Sequence, residues 1–220
     1  MSESVDNYIK AIYSLSLAGD KGISTSAIAD RMHTKASSAT DMLKKLDERG
    51  LVKHTKYYGV TLTSKGRKMA VDIVRKHRLW EVFLSEKLGL SWDKIHDIAE
   101  ELEHVHSDEL IDKLDKYLGY PGFDPHGDPI PDKNGMITDH RNAISADQLK
   151  VGQQATIVGV EESSSAFLQY LDSVKLRPGI SFEVLKYFEY DSSMQIKTDK
   201  DKLSISHLVA KNLKVTKLKK

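Results

Sequence analysis

Residues 24–64, STSAIADRMHTKASSATDMLKKLDERGLVKHTKYYGVTLTS, decide the fold of the N-terminal part of this chain. Ser24 or Thr25 stands where a side-chain oxygen caps a short helix whose apolar positions are Ile28, Ala29 and Met32. After the turn HTKAS a second helix is expected from about Ser37 to Arg49, and Gly50 ends it. The run LVKHTKYYGVTLTS then holds two stretches rich in Val, Thr and Tyr joined around Tyr58-Gly59, the pattern of a hairpin. Helix, turn, helix and hairpin in that order make a winged helix-turn-helix. Upstream, Val5, Tyr8, Ile9, Ile12, Tyr13 and Leu15 recur at helical spacing over residues 4–17, before Gly19 and Gly22.

In a helix-turn-helix the second helix enters the major groove, with polar residues at its start facing base edges and basic groups around it meeting phosphates. Lys35, Ser37, Ser38, Thr40 and Asp41 occupy that start, while Met42, Leu43 and Leu46 turn inward. Lys44, Lys45, Lys53, His54 and Lys56 are expected at phosphates. Charge agrees with a polyanionic partner: residues 31–68 carry ten Lys/Arg against Asp41, Asp47 and Glu48. Residues 81–115 reverse this, with eleven Asp/Glu against Lys87, Lys94 and Lys113. The formal net charge of +1 hides the asymmetry.

With 220 residues, 40% of them hydrophobic, more than one core is expected. A long helical period runs from Lys65 to about Leu88 through Met69, Ile73, Val74, Leu79, Trp80, Phe83 and Leu84. Ser91 is expected to cap a helix from Trp92 to about His106, and Ser107 another that stops at Gly119. YPGFDPHGDPIPDKNG holds four of the five prolines and reads as an irregular connector. From about Ile144 short β-type runs follow (ATIVGV, SFEVLKYF, MQIKT, KLSIS, LKVTKL) around the helical SAFLQYLDSV, which argues for a small β-barrel of five or so strands. The chain is thus expected to be multidomain and mainly α with a β-rich C-terminus. Its expected parts are 1–64 winged helix, 65–122 helical metal-binding and dimerisation domain, 123–143 linker and 144–220 barrel. No signal or membrane-spanning pattern is present, so a cytoplasmic protein with no membrane partner is expected.

The sequence has no cysteine, so a metal would be held by His, carboxylate, amide or backbone oxygen. Helical spacing supplies such groups twice. In KHRLWEVFL, His77 and Glu81 stand four apart; in KIHDIAEELEHVH, His96 and Glu100 stand four apart, with Glu103 and His104 within a further turn. Antiparallel packing lets His77, Glu81 and His96 share one ion and leaves Glu100, Glu103 and His104 for a second. His33, His54, His106, His126, His140 and His207 lack such spacing and read as surface or loop residues.

DNYIKAIYSL, LTSKGRKMA, RKHRLWEVFL, HDIAEELEHVHSDEL and GDPIP, in that order, resemble the diphtheria toxin repressor and manganese transport regulator family over nearly the whole chain. The resemblance implies a homodimer bound to palindromic operator DNA of metal-uptake genes, a helical metal-binding domain and a C-terminal Src-homology-3-like barrel. It places the primary metal site on Asn7, Glu100, Glu103 and His104, with Asp6 as the alternative to Asn7, and a second site on His77, Glu81 and His96. Glu161, Glu162 or Ser163 is the candidate to complete the second site from the barrel. Glutamate rather than cysteine at position 100 favours Mn(II), with Fe(II) the alternative and Co(II), Zn(II) or Ni(II) as substitutes in vitro; no organic cofactor is implied. Two other readings of the residues stand beside this one: a metalloenzyme with a His/Glu dinuclear site, and a winged-helix regulator answering an organic ligand.

Overall fold

The computed structural model describes residues 2–17, 19, 22–55, 58–139 and 141–218. They form two units, Met1–His77 with Glu100–Lys113 and Pro131–Met136, and Arg78–Ala99 with Leu114–Ile130 and Ile137–Lys220. The chain passes between the units within its middle helices, α4 (Ser64–Val82), α5 (Ile95–Leu102) and α6 (Asp108–Tyr117).

The first unit opens with α1 (Glu3–Ser16), α2 (Thr25–Arg31), α3 (Ala36–Glu48) and a hairpin of β1 (Val52–Thr55) and β2 (Gly59–Leu62). Ser24 caps α2, its Oγ accepting from the Ala27 amide at 3.1 Å. Ile9, Ile12, Ile28, Leu43 and Leu46 are fully buried and join Val52 and Val60 in one core, the arrangement expected from their helical and alternating spacing. Ile23 exchanges two backbone hydrogen bonds with Val60, at 2.9 and 2.8 Å, an isolated antiparallel bridge alongside β2. This is the winged helix-turn-helix. At the start of α4, Thr63 Oγ1 accepts from the Gly66 amide at 3.1 Å and donates to the Gly50 carbonyl at 2.7 Å. The backbone passes so close there that a Cβ on Gly66 would lie 1.9 Å from the Leu51 carbonyl oxygen.

Two helix expectations need correction. The single helix over Lys65–Leu88 is α4 followed by a π-helical turn at Phe83–Lys87, closed by a Leu88 amide to Phe83 carbonyl bond of 3.3 Å. Phe83 then meets Trp80 edge-on at 5.9 Å and tilts against Tyr117 at 6.4 Å. The helix expected over Trp92–His106 is only α5, because the Val105 amide bonds back to Leu102 and tightens the chain into a turn. Glu103 and His104 lie in that turn rather than on the helix. Ser107 then caps α6, its Oγ accepting from the Leu110 amide at 3.3 Å.

The second unit contains a six-stranded antiparallel sheet in the order β3-β8-β4-β5-β6-β7, from β3 (Ile144–Ser145), β4 (Gln154–Val160), β5 (Ser181–Tyr187), β6 (Met194–Thr198), β7 (Lys202–Ile205) and β8 (Leu213–Lys217). Helices α7 (Ser165–Ser173) and α8 (His207–Asn212) are capped by Ser164 and Ser206. Ile157, Val184, Ile196, Val215, Leu168 and Leu171 are buried in this unit. The proline-rich connector is irregular but not loose. The His126 carbonyl accepts from the Val160 amide at 2.9 Å, and Arg141 donates to Gly127 and Val158 carbonyls at 2.6 and 2.9 Å. Gly127, at φ +88°, lies where a Cβ would meet the Val158 oxygen at 2.1 Å.

Substitution of Gly66 by Ala is expected to lower the denaturation midpoint, the opposite of the roughly 1 kcal/mol gain at an open helical position. Chemical denaturation checks it, and an unchanged or raised midpoint contradicts the close packing of α4 on the α3–β1 turn.

Candidate metal centres and DNA-reading surface

In the first unit, α1 carries Asp6 and Lys10 one turn apart on a common face. Asp6 is 2% exposed, and its Oδ2 lies 3.2 Å from His104 Nδ1 and 3.8 Å from His106 Nε2. Lys10 Nζ donates to Glu100 Oε1 at 2.6 Å and to both oxygens of Glu103 at 2.8 and 2.7 Å. Glu103 is fully buried; its Oε2 also lies 2.7 Å from His77 Nδ1, which stands 4.0 Å from Glu100 Oε1. One ligand atom each from His77, Glu100 and Glu103 fall within 4.8 Å of one another. Asn7 Oδ1 is buried and receives no hydrogen bond.

Glu100, Glu103 and His104 therefore lie beside α1, with Glu100 and Glu103 facing Lys10 and His104 facing Asp6. His77, expected at the second site, also has Nδ1 beside Glu103 and within 4.0 Å of Glu100. His106 is exposed, as expected, with Nε2 3.8 Å from Asp6 Oδ2. The donor set of three carboxylates, imidazole nitrogens and an amide oxygen lacking a donor suits a hard divalent cation.

In the second unit, Glu81 is 2% exposed, with Oε1 3.3 Å from His96 Nδ1 and Oε2 3.4 Å from His126 Nδ1. Glu81, Asp124 and His126, all buried, bring ligand atoms within 4.8 Å of one another. Asp124 Oδ1 accepts from the amides of His126 and Asp128, both at 2.9 Å, and Oδ2 lies 3.5 Å from Arg78 Nε. His126 Nε2 lies 3.0 Å from the Trp92 carbonyl, and its ring stacks on the Trp92 indole at 6.0 Å. A carbonyl partner fixes the proton on Nε2 and leaves Nδ1 toward Glu81. Burial, then the charges of Glu81 and Asp128, push the Asp124 carboxyl up to about 7 against Arg78 and His126. Burial pushes the His126 imidazole down, but its hydrogen bond to Glu81 and the charges of Glu81 and Asp124 outweigh this and hold it at about 9.

His126 lies in a turn of the connector, as expected of a loop residue, but it is buried rather than on the surface, because the connector is laid on β4. The run Asp124-Pro125-His126-Gly127-Asp128 gave a signal, a histidine between acidic residues, that its turn-forming composition obscured. Of the residues expected to complete the second site, Glu161 pairs with Lys214 at 3.1 Å, Glu162 accepts from Ser164 Oγ, and Ser163 is exposed. Neither Glu161 nor Glu162 joins the carboxylates gathered at Glu81.

On α3, Ser37, Ser38, Asp41, Lys44 and Lys45 are exposed, as are Lys35 before it and Lys53 on the wing. Thr40 is half-buried and donates its hydroxyl to the Ala36 carbonyl at 2.8 Å. Lys56 and His140 lie outside the described residues.

The fold and sites define a winged-helix DNA-binding protein with clustered His and carboxylate groups. Residues 1–60 match the iron dependent repressor N-terminal DNA binding domain, residues 63–132 the iron dependent repressor metal binding and dimerisation domain, and residues 144–217 the FeoA domain. An uncharacterized HTH-type transcriptional regulator of Methanocaldococcus jannaschii is 36% identical over 118 residues, 54% of this chain and 94% of that protein. The iron-dependent repressor IdeR of Mycobacterium tuberculosis is 30% identical over 170 residues, 72% of each chain. A manganese-dependent transcriptional repressor solved in complex with manganese superposes with a TM-score of 0.83 at 33% identity, over 97% of this chain and 100% of that one. The chain belongs to the iron-dependent repressor family of metal-dependent, DNA-binding transcriptional repressors. These are regulators, not enzymes. No helix among the described residues is long and apolar enough to cross a membrane.

Cation binding at Glu81, Asp124 and His126 must expel the protons that Asp124 and His126 hold near neutrality. Mn(II) affinity there is expected to rise between about pH 6 and about pH 9, with protons released on binding. Calorimetry in buffers of different ionisation enthalpy measures both, and an affinity flat across that range contradicts the assignment.

Proposed function

We propose that this chain is a manganese-activated repressor that binds palindromic operator DNA of metal-uptake genes as a homodimer, with Fe(II) as the alternative activator. The observation that carries the reading is the meeting of α1, through Asp6 and Asn7, with Glu100, Glu103 and His104. A divalent cation there adds positive charge among the converging carboxylates. Asp6 or Asn7 holds it from the helix-turn-helix side, and Glu100, Glu103, His104 and His77 from the other. The position of α1, and with it the core on which α3 is mounted, then depends on the same groups that bind the ion.

Oxygen-rich, thiolate-free ligation favours Mn(II), the hard ion, over softer competitors. The manganese-dependent repressor of similar structure supports the same preference. Glu81, Asp124 and His126, with His96 beside Glu81, form the second site in this reading. At the DNA, Ser37, Ser38 and Asp41 face base edges while Lys35, Lys44, Lys45 and Lys53 meet phosphates, so affinity falls steeply with salt. A coupling of roughly 1–3 kcal/mol between metal and DNA is enough for a useful switch.

Operator-duplex binding followed by anisotropy, with Mn(II), Fe(II), Co(II) and Zn(II) in one buffer, tests this. Metal is expected to tighten binding and EDTA to reverse it, and Glu103→Ala and His104→Ala are each expected to abolish the metal response. A metal response retained in both variants, or binding indifferent to EDTA, overturns the reading and favours an organic effector.

A further inference from the structure

The first cluster contains a cation of its own. Lys10 projects from α1 with its side chain only 20% exposed, and its three charge-assisted contacts to Glu100 and Glu103 span 2.6–2.8 Å. An ammonium has three N–H donors, so these contacts use all of them. The acceptors are candidate metal ligands themselves. Glu100, on α5, and Glu103, in the turn after it, converge on the one ammonium, and their like charges repel. Glu103 is fully buried and beyond reach of water. A buried carboxylate needs a counter-charge at all times, with metal or without it.

We propose that Lys10 is a tethered counter-ion: its ammonium holds the place between Glu100 and Glu103 that a divalent cation takes on binding, so that metal affinity is set by competition with a charge built into α1. This rests on the reading of the cluster as the regulatory metal site. Both oxygens of Glu103 are engaged by Lys10, and Oε2 by His77 as well. Ligation by Glu103 therefore requires Lys10 to release at least one contact. Asp6, Glu100 and Glu103 bring three carboxylates to a single ammonium, and a divalent ion adds positive charge among them. Without metal, Lys10 keeps α1 docked on the turn after α5, so the apo protein retains its shape and a threshold concentration of ion is needed to displace the ammonium. Lys10 is a positioning residue: it binds neither the ion nor DNA.

The test uses Lys10→Met, which keeps the aliphatic stem and removes the charge. Both the reference protein and the variant carry Asp124→Asn, which retains the amide-accepting oxygen and weakens the second cluster. Calorimetric titration with MnCl2 is expected to show affinity tighter by roughly 10-fold or more in Lys10→Met, since a positive charge beside the ion is gone. Thermal melting is expected to show a lower apo midpoint and a larger upward shift on adding MnCl2. Lys10→Arg keeps the charge and is expected to bind Mn(II) no tighter than the Lys10 reference. If the apo Lys10→Met protein does not fold, recovery of the folded state on adding MnCl2, with Lys10→Gln behaving alike, supports the proposal; failure to recover overturns it. Equal or weaker Mn(II) affinity in folded Lys10→Met makes Lys10 a plain strut and overturns the counter-ion role alone. Absence of Mn(II) binding in the reference and in every variant overturns the metal-site reading as well.

Discussion

Three carboxylates converge where α1 meets the turn after α5, and like charges stay together only if positive charge comes with them. Asp6 approaches from α1, Glu100 and Glu103 from the other side, and Glu103 is sealed from solvent. The first unit depends on this constraint. Its apolar core would hold α1 to α2, α3 and the wing on burial alone, but the attachment of α1 to residues 100–106 is electrostatic. The cations available to it are the Lys10 ammonium and an added metal ion. A helix that belongs to the DNA-binding core is thereby made sensitive to what sits among three acids.

The second cluster solves a similar problem differently. Glu81 and Asp124 are both buried, and the neutralising partners are Arg78 and His126. Arg78 also reaches Asp128 at 3.5 Å, and Asp128 pairs with Lys214 of β8 at 3.2 Å, so the connector is tied into the sheet through a chain of ion pairs. The carbonyl of His126 is hydrogen-bonded to β4 while its imidazole faces Glu81. In the proposed second site, His126 is therefore tied within this unit to the backbone path of the connector.

Much of the fold was legible in the sequence because it rests on period and punctuation. The caps at Ser24 and Ser107, the hairpin turn at Gly59 and the stripe of Ile9, Ile12, Ile28, Leu43 and Leu46 are local signals, and each element appears where its signal lies. Helix ends were less legible: nothing in EELEHVH marks the turn that takes Glu103 and His104 off α5, since every residue there is compatible with a helix. At the sites, residues at helical spacing could be nominated, but their partners come from far along the chain. Lys10 stands one turn from Asp6, a visible pattern, yet its meeting with residues 100 and 103 is tertiary. His126 was hidden because prolines and glycines read as exposed loop, whereas Gly127 serves here to let the connector lie against β4. The grouping of His77 with Glu100 and Glu103 likewise depends on packing rather than on spacing.

In the proposed switch, one ion is held jointly by α1 and by residues 100–104. Anomalous diffraction at the manganese edge from crystals grown with MnCl2 tests it most directly. A peak is expected within coordination distance of Glu103, of His104 and of an oxygen of Asp6 or Asn7, with the Lys10 ammonium displaced from at least one carboxylate oxygen. An ion bound only by residues after α5, with no atom of α1 in its coordination shell, would contradict it.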